Sequence, residues 1–253
     1  MLLTIDQGNT NTVFGVFDGE ELTHTWRLST TKERTVDEYG VLLRNLCSLD
    51  KIDAKAIDKV IISSVVPPLD PVLDQMVRRY FSVEAIFATS DNAGVPVLYE
   101  DPREVGADRI VNAVAVLERY GSPAIIVDFG TATTFDAITS AGDYLGGLIT
   151  PGIEASANAL TDRAARLPRV DIRKPDQLIG RSTQASLQAG FFWGYVSLVD
   201  GIIDRMRLEL GEDSEIIATG GMAGFIREES KWISKIDPDL TLRGLCLVAR
   251  RLG

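Results

Sequence analysis

Two short segments place an aspartate at the end of an apolar run and follow it with glycine, hydroxyl and amide side chains. Residues 6–12 read DQGNTNT after LLTI, and residues 128–134 read DFGTATT after AIIV. A carboxylate at the carboxyl end of a strand faces the edge where open α/β sheets bind ligands. Glycine lets the backbone approach an anion, Thr and Asn side chains can donate to phosphate oxygens, and the aspartate can hold a cation. The pair therefore predicts two β-hairpins that clamp a phosphate chain.

Ordinary β-hairpin turns use the same residue types, so one segment alone would leave that alternative open. Two segments in matching contexts favour the phosphate clamp, and the sequence has neither a GxxxxGK[ST] nor a GxGxxG motif that would compete. A third segment, IIATGG at 216–221, ends a predicted strand. Its glycines could lie against an adenine or a ribose, or could simply form a tight strand–helix turn.

The elements that must position these residues occur twice in the same order. Three strands and then alternating helices and strands follow the N-terminus, and the pattern restarts at the strand before Asp128. Helices are predicted over roughly 150–166, 182–210 and 222–235. The repeat predicts an α/β protein with two duplicated domains, residues 1–117 and 118–253, and a cleft between them.

The composition narrows the possible chemistry. The chain has 253 residues and a net charge of −10, which disfavours nucleic acid or an anionic membrane as a partner. His24 is the only histidine, so acid–base chemistry must come from carboxylates. Cys47 and Cys246 are far apart and form no metal or disulfide pattern. Neither a signal peptide nor a membrane span is evident, so we expect a cytoplasmic protein.

An ordered set of motifs resembles the type III pantothenate kinases, which belong to the superfamily of actin, hexokinase and heat-shock-chaperone ATPases. The motifs are DQGNTNT, GADRIVNAVA, DFGTATTFD, GGLITPG, LTDRAARLPRV, IGRSTQASLQAGFFWGY, VDGII and ATGGMAGFI. The resemblance covers nearly the whole chain and implies two ribonuclease-H-like domains of the actin-like ATPase type. It also implies ATP-dependent phosphorylation of the primary hydroxyl of pantothenate to 4′-phosphopantothenate, the first step towards coenzyme A.

The resemblance assigns roles around the substrate. Asp108 would be the base that orients the substrate hydroxyl and accepts its proton, although an aspartate in a first helical turn often only stabilises the helix. Thr183 would reach the substrate from a neighbouring subunit, or would merely cap its own helix. The residues that would bind pantothenate are Tyr99, Gly106, Ala107, Asp108, Arg109 and Thr183.

The resemblance also assigns the nucleotide and its ions. Asp6 would face Mg²⁺ through water, and Asp128 would bind a monovalent cation, K⁺ or NH₄⁺. Position 7 is a minor departure from the family pattern: this chain has Gln there, whereas small or apolar residues are also seen in such motifs. The residues that would bind ATP are Asp6, Gln7, Gly8, Asn9, Thr10, Asn11, Thr12, Val13 and Thr131.

The expected assembly is a homodimer with shared active sites. The long helix after Thr183 carries Gly190, Gly194 and Gly201, and glycines that weaken a helix suggest close packing, within the subunit or across an interface. Two other functions stay open: a kinase of the same fold for another small hydroxyl substrate, and a non-catalytic nucleotide-binding regulator. The intact aspartates favour a kinase.

Overall fold

The computed structural model describes residues 1–164 and 166–253. The strands are β1 (Leu2–Gln7), β2 (Asn11–Asp18), β3 (Glu21–Ser29), β4 (Lys59–Ser64), β5 (Ala85–Phe87), β6 (Ala124–Phe129), β7 (Ala132–Ile138), β8 (Tyr144–Pro151), β9 (Glu215–Gly220) and β10 (Lys235–Ile236). The helices are α1 (Val36–Leu49), α2 (Asp70–Phe81), α3 (Ala107–Arg119), α4 (Ile153–Arg163), α5 (Thr183–Leu210), α6 (Ala223–Arg227) and α7 (Leu240–Arg251). Short 3₁₀ helices cover Ala54–Ala56, Pro67–Leu69 and Pro102–Glu104.

The chain forms two compact units. The first comprises Met1–Arg119 together with Asp239–Gly253, and the second comprises Tyr120–Pro238. The change of unit after Arg119 lies two residues from the boundary that the repeat predicts. The return of the last fifteen or so residues to the first unit is a feature that the repeat alone does not predict.

The first unit is built on a five-stranded sheet in the order β3-β2-β1-β4-β5. β1, β2 and β3 pair antiparallel, whereas β4 pairs parallel to β1 and β5 pairs parallel to β4. α1 and α2 cover one face through a core that includes Ile5, Phe14, Leu43 and Val77. α3 and α7 pack together on the other face.

The second unit repeats this sheet, in the order β10-β9-β6-β7-β8. β6, β7 and β8 pair antiparallel, and β9 and β10 continue the sheet in parallel. α5 packs on this sheet through Phe192, Tyr195 and Val199, which meet Ile125 and Val127 of β6. The same strand order in both units confirms the predicted duplication.

One helix prediction was wrong. The pattern over 222–235 forms only the short helix α6, and a loop then leads to β10. Ser230 explains the difference, because its hydroxyl donates to Asp200 Oδ1 (2.6 Å) and accepts from the backbone N–H groups of Trp232 and Ile233. A side chain that bonds nearby backbone groups competes with the helix.

The other two helix predictions were close. α4 and α5 fall within the ranges predicted as 150–166 and 182–210, although residue 165 lies outside the described residues. Within the described part of the chain, no helix is long and apolar enough to cross a bilayer.

Candidate active site

The first hairpin places Asp6 at the carboxyl end of the central strand of its sheet. Asp6 is the penultimate residue of β1, is half-buried, and pairs with Val13 of β2 and Ser63 of β4. The Gly8 N–H donates to the Asn11 carbonyl oxygen (3.0 Å), which closes the turn. The tip of the turn, Asn9 and Thr10, is exposed to solvent, whereas Gln7 is fully buried beneath it.

The second hairpin places Asp128 at the equivalent position. Asp128 is the penultimate residue of β6, is half-buried, and pairs with Thr134 of β7 and Thr219 of β9. The Gly130 N–H donates to the Ala132 carbonyl oxygen (3.0 Å), and Thr131 is exposed at the tip. The two segments singled out in the sequence are therefore related turns on related sheets.

Gly220 lies directly against the Asp128 carboxylate and the Phe129 carbonyl. A Cβ atom built at Gly220 would lie 2.7 Å from the Asp128 carboxylate Oδ1 and 2.5 Å from the Phe129 carbonyl oxygen. Gly220 also has a φ of +87°, a backbone conformation that side-chain-bearing residues avoid. Without a side chain at Gly220, the Asp128 carboxylate and the Phe129 carbonyl oxygen lie close together. Hard cations such as K⁺ prefer oxygen donors of this kind. The residues present therefore fit a monovalent cation.

A divalent metal ion can be held either by a cluster of side chains or by one or two carboxylates together with water and phosphate. Among residues 1–164 and 166–253, no group of three or more His, Cys, Asp or Glu side chains is placed to hold a metal ion. A Mg²⁺ ion in a phosphotransferase usually keeps several waters and takes one or two carboxylates plus phosphate oxygens. The half-buried carboxylate of Asp6 fits that mode of binding.

Asp108 lies in the first turn of α3, close to the first hairpin. The Val65 N–H donates to the Gln7 carbonyl oxygen (3.1 Å), and a Cβ at Gly106 would lie 3.4 Å from Val65 and 2.6 Å from Asp108 Oδ1. The absence of a side chain at Gly106 thus makes room for the Asp108 carboxylate. The structure brings Asp108 and the Asp6 hairpin to the same edge of the first sheet.

Asp108 is half-buried, and its surroundings disfavour the ionised form of the carboxylate. Burial is the main cause that raises the pKa of Asp108 above its ordinary value, and the Arg109 N–H, which donates to Oδ1 (2.7 Å), opposes this rise in part. A carboxyl group with a raised pKa accepts a proton more readily than an exposed one. The environment therefore suits a general base, and helix stabilisation alone would not require a desolvated carboxylate.

The other predicted substrate residues occupy different settings. Arg109 is 7% exposed, so it is a buried arginine rather than a surface side chain. Tyr99 is half-buried in the loop before α3, and Ala107 is the first residue of that helix. Thr183 is exposed, and the cap of α5 is Ser182, whose hydroxyl accepts from the Ala185 N–H (3.2 Å). Thr183 therefore does not serve as the helix cap.

The glycine face of α5 is open. Among the described residues, no atom lies within 4 Å of a Cβ built at Gly190 or Gly194. Of the two packing modes left open by the sequence, this excludes close packing of these glycines within the unit. The face lines a groove of about 460 Å³, which consists of Leu178, Ile179, Gly180, Ser186, Ala189, Gly190, Trp193, Gly194 and Ser197.

Sequence reasoning missed one residue of the second hairpin. A Cβ at Gly152 would lie 2.5 Å from the Thr131 carbonyl oxygen and 2.7 Å from that of Gly130, so only glycine lets α4 begin against this turn. The Gly152 N–H donates to the Thr131 carbonyl oxygen (3.1 Å). The glycine of the GGLITPG motif was the available signal.

The described residues resemble known proteins over the whole chain. A model of the type III pantothenate kinase family matches residues 2–205. A type III pantothenate kinase of Syntrophus aciditrophicus (strain SB) is 53% identical over 252 residues, which cover 99% of both chains. Among solved structures, a Campylobacter jejuni protein described as a candidate Baf family transcriptional activator has a TM-score of 0.64 at 21% identity, over 99% of this chain and 98% of that one.

A second solved structure shares the fold. The activator of the 2-hydroxyisocaproyl-CoA dehydratase from Clostridium difficile, solved with bound ADPNP, has a TM-score of 0.53 at 14% identity and covers 98% of this chain and 92% of its own. At these identities the two structural matches establish the fold alone.

Two copies of one mixed sheet, each with an aspartate hairpin at the carboxyl end of its first strand, define an α/β protein of the actin-like ATPase fold. Family membership follows from the sequence relatives. The chain belongs to the type III pantothenate kinase family.

Proposed function

We propose that this protein transfers the γ-phosphoryl group of ATP to the primary hydroxyl of pantothenate, giving 4′-phosphopantothenate and ADP in the first step of coenzyme A biosynthesis. Family membership supports the reaction, and the desolvated carboxylate of Asp108 beside the first hairpin is the observation that carries the mechanism. Phosphoryl transfer asks little covalent chemistry of a protein and depends on positioning and charge neutralisation.

The base in this proposal is Asp108. Its carboxylate accepts the proton of the substrate hydroxyl as the oxygen forms a bond to the γ-phosphorus and the bond to the bridging oxygen of ADP breaks. Arg109, buried beside it, holds the substrate together with Tyr99 and the backbone of Gly106 and Ala107. The raised pKa of Asp108 supports this assignment because it favours proton transfer from a weakly acidic alcohol.

Each of the two turns offers donors to the phosphates of ATP. In this proposal Gly8, Asn9, Thr10 and Asn11 of the first turn donate to phosphate oxygens, and Thr131 of the second does the same. Exposed amide and hydroxyl groups at both tips support this assignment. Asp6 holds Mg²⁺ through water; when bound, this ion neutralises the charge of the phosphates.

A monovalent cation, K⁺ or NH₄⁺, binds at Asp128. The support is the pair of oxygen donors, the Asp128 carboxylate and the Phe129 carbonyl, that Gly220 allows to lie close together. A cation there offsets the charge of the carboxylate, which would otherwise repel the phosphates.

The active enzyme is a homodimer in which Thr183 completes the substrate site of the partner subunit. Three observations on the second unit support this: the exposed Thr183, the open glycines of α5, and the groove beside them. Leu178 and Ile179 on the rim are 67% and 79% exposed, and exposed apolar side chains of this size mark interaction surfaces.

The direct test is an assay of purified protein with ATP, Mg²⁺, K⁺ and pantothenate. We expect one ADP for each 4′-phosphopantothenate, identified by mass spectrometry. Turnover with a different hydroxyl substrate and none with pantothenate would point to another small-molecule kinase. ATP binding without turnover on any substrate would favour the regulatory alternative and would contradict the proposal.

A further inference from the structure

The amide of Gln7 lies at the centre of a buried hydrogen-bond network under the first turn. Its Nε2 donates to the Gly8 carbonyl oxygen (3.2 Å) and to Thr30 Oγ1 (3.1 Å). Its Oε1 accepts from the hydroxyls of Thr12 (3.0 Å) and Tyr39 (3.3 Å). Both donors of the amide and its acceptor oxygen are thus used inside the protein, and the side chain is fully buried.

Thr30 extends this network to the turn itself. Its hydroxyl donates to the Gly8 carbonyl oxygen (2.7 Å), and its N–H donates to the Thr10 carbonyl oxygen (2.9 Å). The Gly8 carbonyl therefore has two donors, one from Gln7 and one from Thr30. Two of the turn's backbone carbonyls are tied to the residue that follows β3, and this orients the neighbouring N–H groups at the tip.

In the second unit, the position equivalent to Gln7 has a side chain without an amide. Phe129 follows Asp128 as Gln7 follows Asp6, and Phe129 is a buried ring that packs near Tyr195. The Tyr195 hydroxyl bonds Thr133, as the Tyr39 hydroxyl lies 3.4 Å from Thr12 in the first unit. The tyrosine–threonine pair is thus common to both units. In the first unit Gln7 is hydrogen-bonded to the turn, whereas Phe129 at the same position of the second unit makes an apolar contact instead.

We propose that Gln7 is a positioning residue of the nucleotide site, rather than the ATP ligand that the resemblance implies: together with Thr30 it holds residues 8–11 in the conformation that binds the phosphates of ATP, and its buried side chain does not touch the nucleotide. This inference rests on the proposed assignment of the first turn to ATP. A turn that is ordered before binding loses less conformational entropy when the ligand arrives. Loss of the network therefore weakens ATP binding, whereas the chemistry at Asp108 and the binding of pantothenate continue.

The test uses Gln7→Leu, Thr30→Val and the double variant in the full-length protein. Gln7→Leu loses the bond to the Gly8 carbonyl and the bond to Thr30, which holds the same carbonyl. We therefore expect the Kd for a non-hydrolysable ATP analogue, measured by calorimetry, and the KM for ATP to rise about 5- to 30-fold. kcat at saturating ATP should stay within about twofold, and the KM for pantothenate should not change. Because both residues act on one network, the double variant should show less than the product of the single effects.

Two control variants separate the possible outcomes. Thr4→Val removes a buried hydrogen bond of the same hairpin, from Thr4 Oγ1 to the Gly15 carbonyl (3.2 Å), away from the turn, and should leave both KM values unchanged. Asn9→Ala tests whether the turn binds ATP at all. If Asn9→Ala weakens ATP binding and neither Gln7→Leu nor Thr30→Val does, the positioning role is wrong.

The remaining outcomes also decide the question. If Asn9→Ala has no effect on ATP binding, the assignment of the turn to ATP is wrong, and the proposed role of Gln7, which rests on it, is wrong as well. If Gln7→Leu does not fold, Thr30→Val, which keeps the buried amide, carries the test alone. If Thr30→Val lowers kcat but leaves the KM for ATP unchanged, the variant has only lost active protein. The turn then binds ATP normally without Thr30, and the proposal is overturned.

Discussion

Replacement of Asp108 by asparagine should lower activity and raise stability at the same time. Asparagine has nearly the same shape, and its Oδ1 can still accept from the Arg109 N–H, which lies 2.7 Å from Asp108 Oδ1. It cannot accept the substrate proton. We therefore expect kcat to fall about 10²- to 10⁴-fold, the range for loss of a general base, which corresponds to about 3–5 kcal/mol of transition-state stabilisation.

The gain in stability follows from the same carboxylate. Burial raises the pKa of Asp108 in the folded protein, so the ionised form is less favourable there than in the unfolded chain. At pH values below the ordinary pKa of an aspartate, about 3.9, both states are protonated and the penalty is absent. The penalty grows as the pH rises through the folded pKa. Asp108→Asn should therefore unfold at a higher temperature than the wild type at pH 8, and the difference should shrink towards pH 4.

Asp101→Asn provides a matched control seven residues earlier. Asp101 also accepts a backbone N–H, that of Arg103 (3.1 Å), but hydrogen bonds from Arg103 hold its pKa below the ordinary value. The pKa of Asp101 is shifted in the opposite direction to that of Asp108, so Asp101→Asn should lose stability at pH 8 rather than gain it. Its kcat should match the wild type, because the side chain is bonded to Arg103 and not placed at the substrate.

Both measurements can refute the reasoning. Steady-state rates at saturating ATP and pantothenate give kcat, and thermal unfolding monitored by circular dichroism between pH 4 and 8 gives the stability difference. Wild-type turnover in Asp108→Asn would exclude the general base. A normal loss of rate combined with lower stability at pH 8 would mean that the carboxylate is not desolvated, although it acts in catalysis.

Three further outcomes test the cation site and the assembly. K⁺ should stimulate activity, and Asp128→Ala should abolish that stimulation; equal rates in sodium-only and potassium buffers would contradict the cation role. Gly220→Ala should lose the stimulation and at least about 1–2 kcal/mol of stability, because its φ is +87°. Gly224→Ala, inside α6 and with open space around its Cβ among the described residues, should keep the stimulation and lose no stability, because alanine favours a helix. Mixing Asp108→Asn protein with a disabling Thr183 variant should restore activity, since one site of each heterodimer would be intact. Subunit exchange, shown by mass spectrometry of tagged chains, without restored activity would exclude the shared site.

The duplicated architecture could be predicted because local patterns and the repeat agree. Asp6 and Asp128 follow apolar runs of the same length, and both occupy the penultimate position of a central strand. Helix α1 begins where the capping box of Thr35 and Glu38 indicates, with the Thr35 N–H donating to the Glu38 carboxylate (2.7 Å). Signals of this kind involve neighbours in sequence, so they can be recognised without the fold.

Features that depend on distant partners could not be predicted. The early end of α6 depends on the bond from Ser230 to Asp200, thirty positions away in sequence. The network of Gln7 needs Thr30, and nothing in the DQGNTNT motif identifies that partner. A sequence motif indicates which side chains bind a ligand, whereas the residues that hold the motif in place become visible only when the strands are paired.

The return of α7 to the first unit has a consequence for synthesis. α7 packs against α3 so closely that a side chain at Gly244 would collide with the Val111 carbonyl, and its Leu245 and Val248 are fully buried. The ribosome makes the sheet of the first unit early but releases this covering helix only after all of Tyr120–Pro238. The nascent first unit therefore carries an apolar face that only α3 covers throughout translation of the second. We expect the second unit, which is continuous in sequence, to complete its fold first, although it is made later, and the N-terminal half to depend on chaperones until the last turn of α7 leaves the exit tunnel.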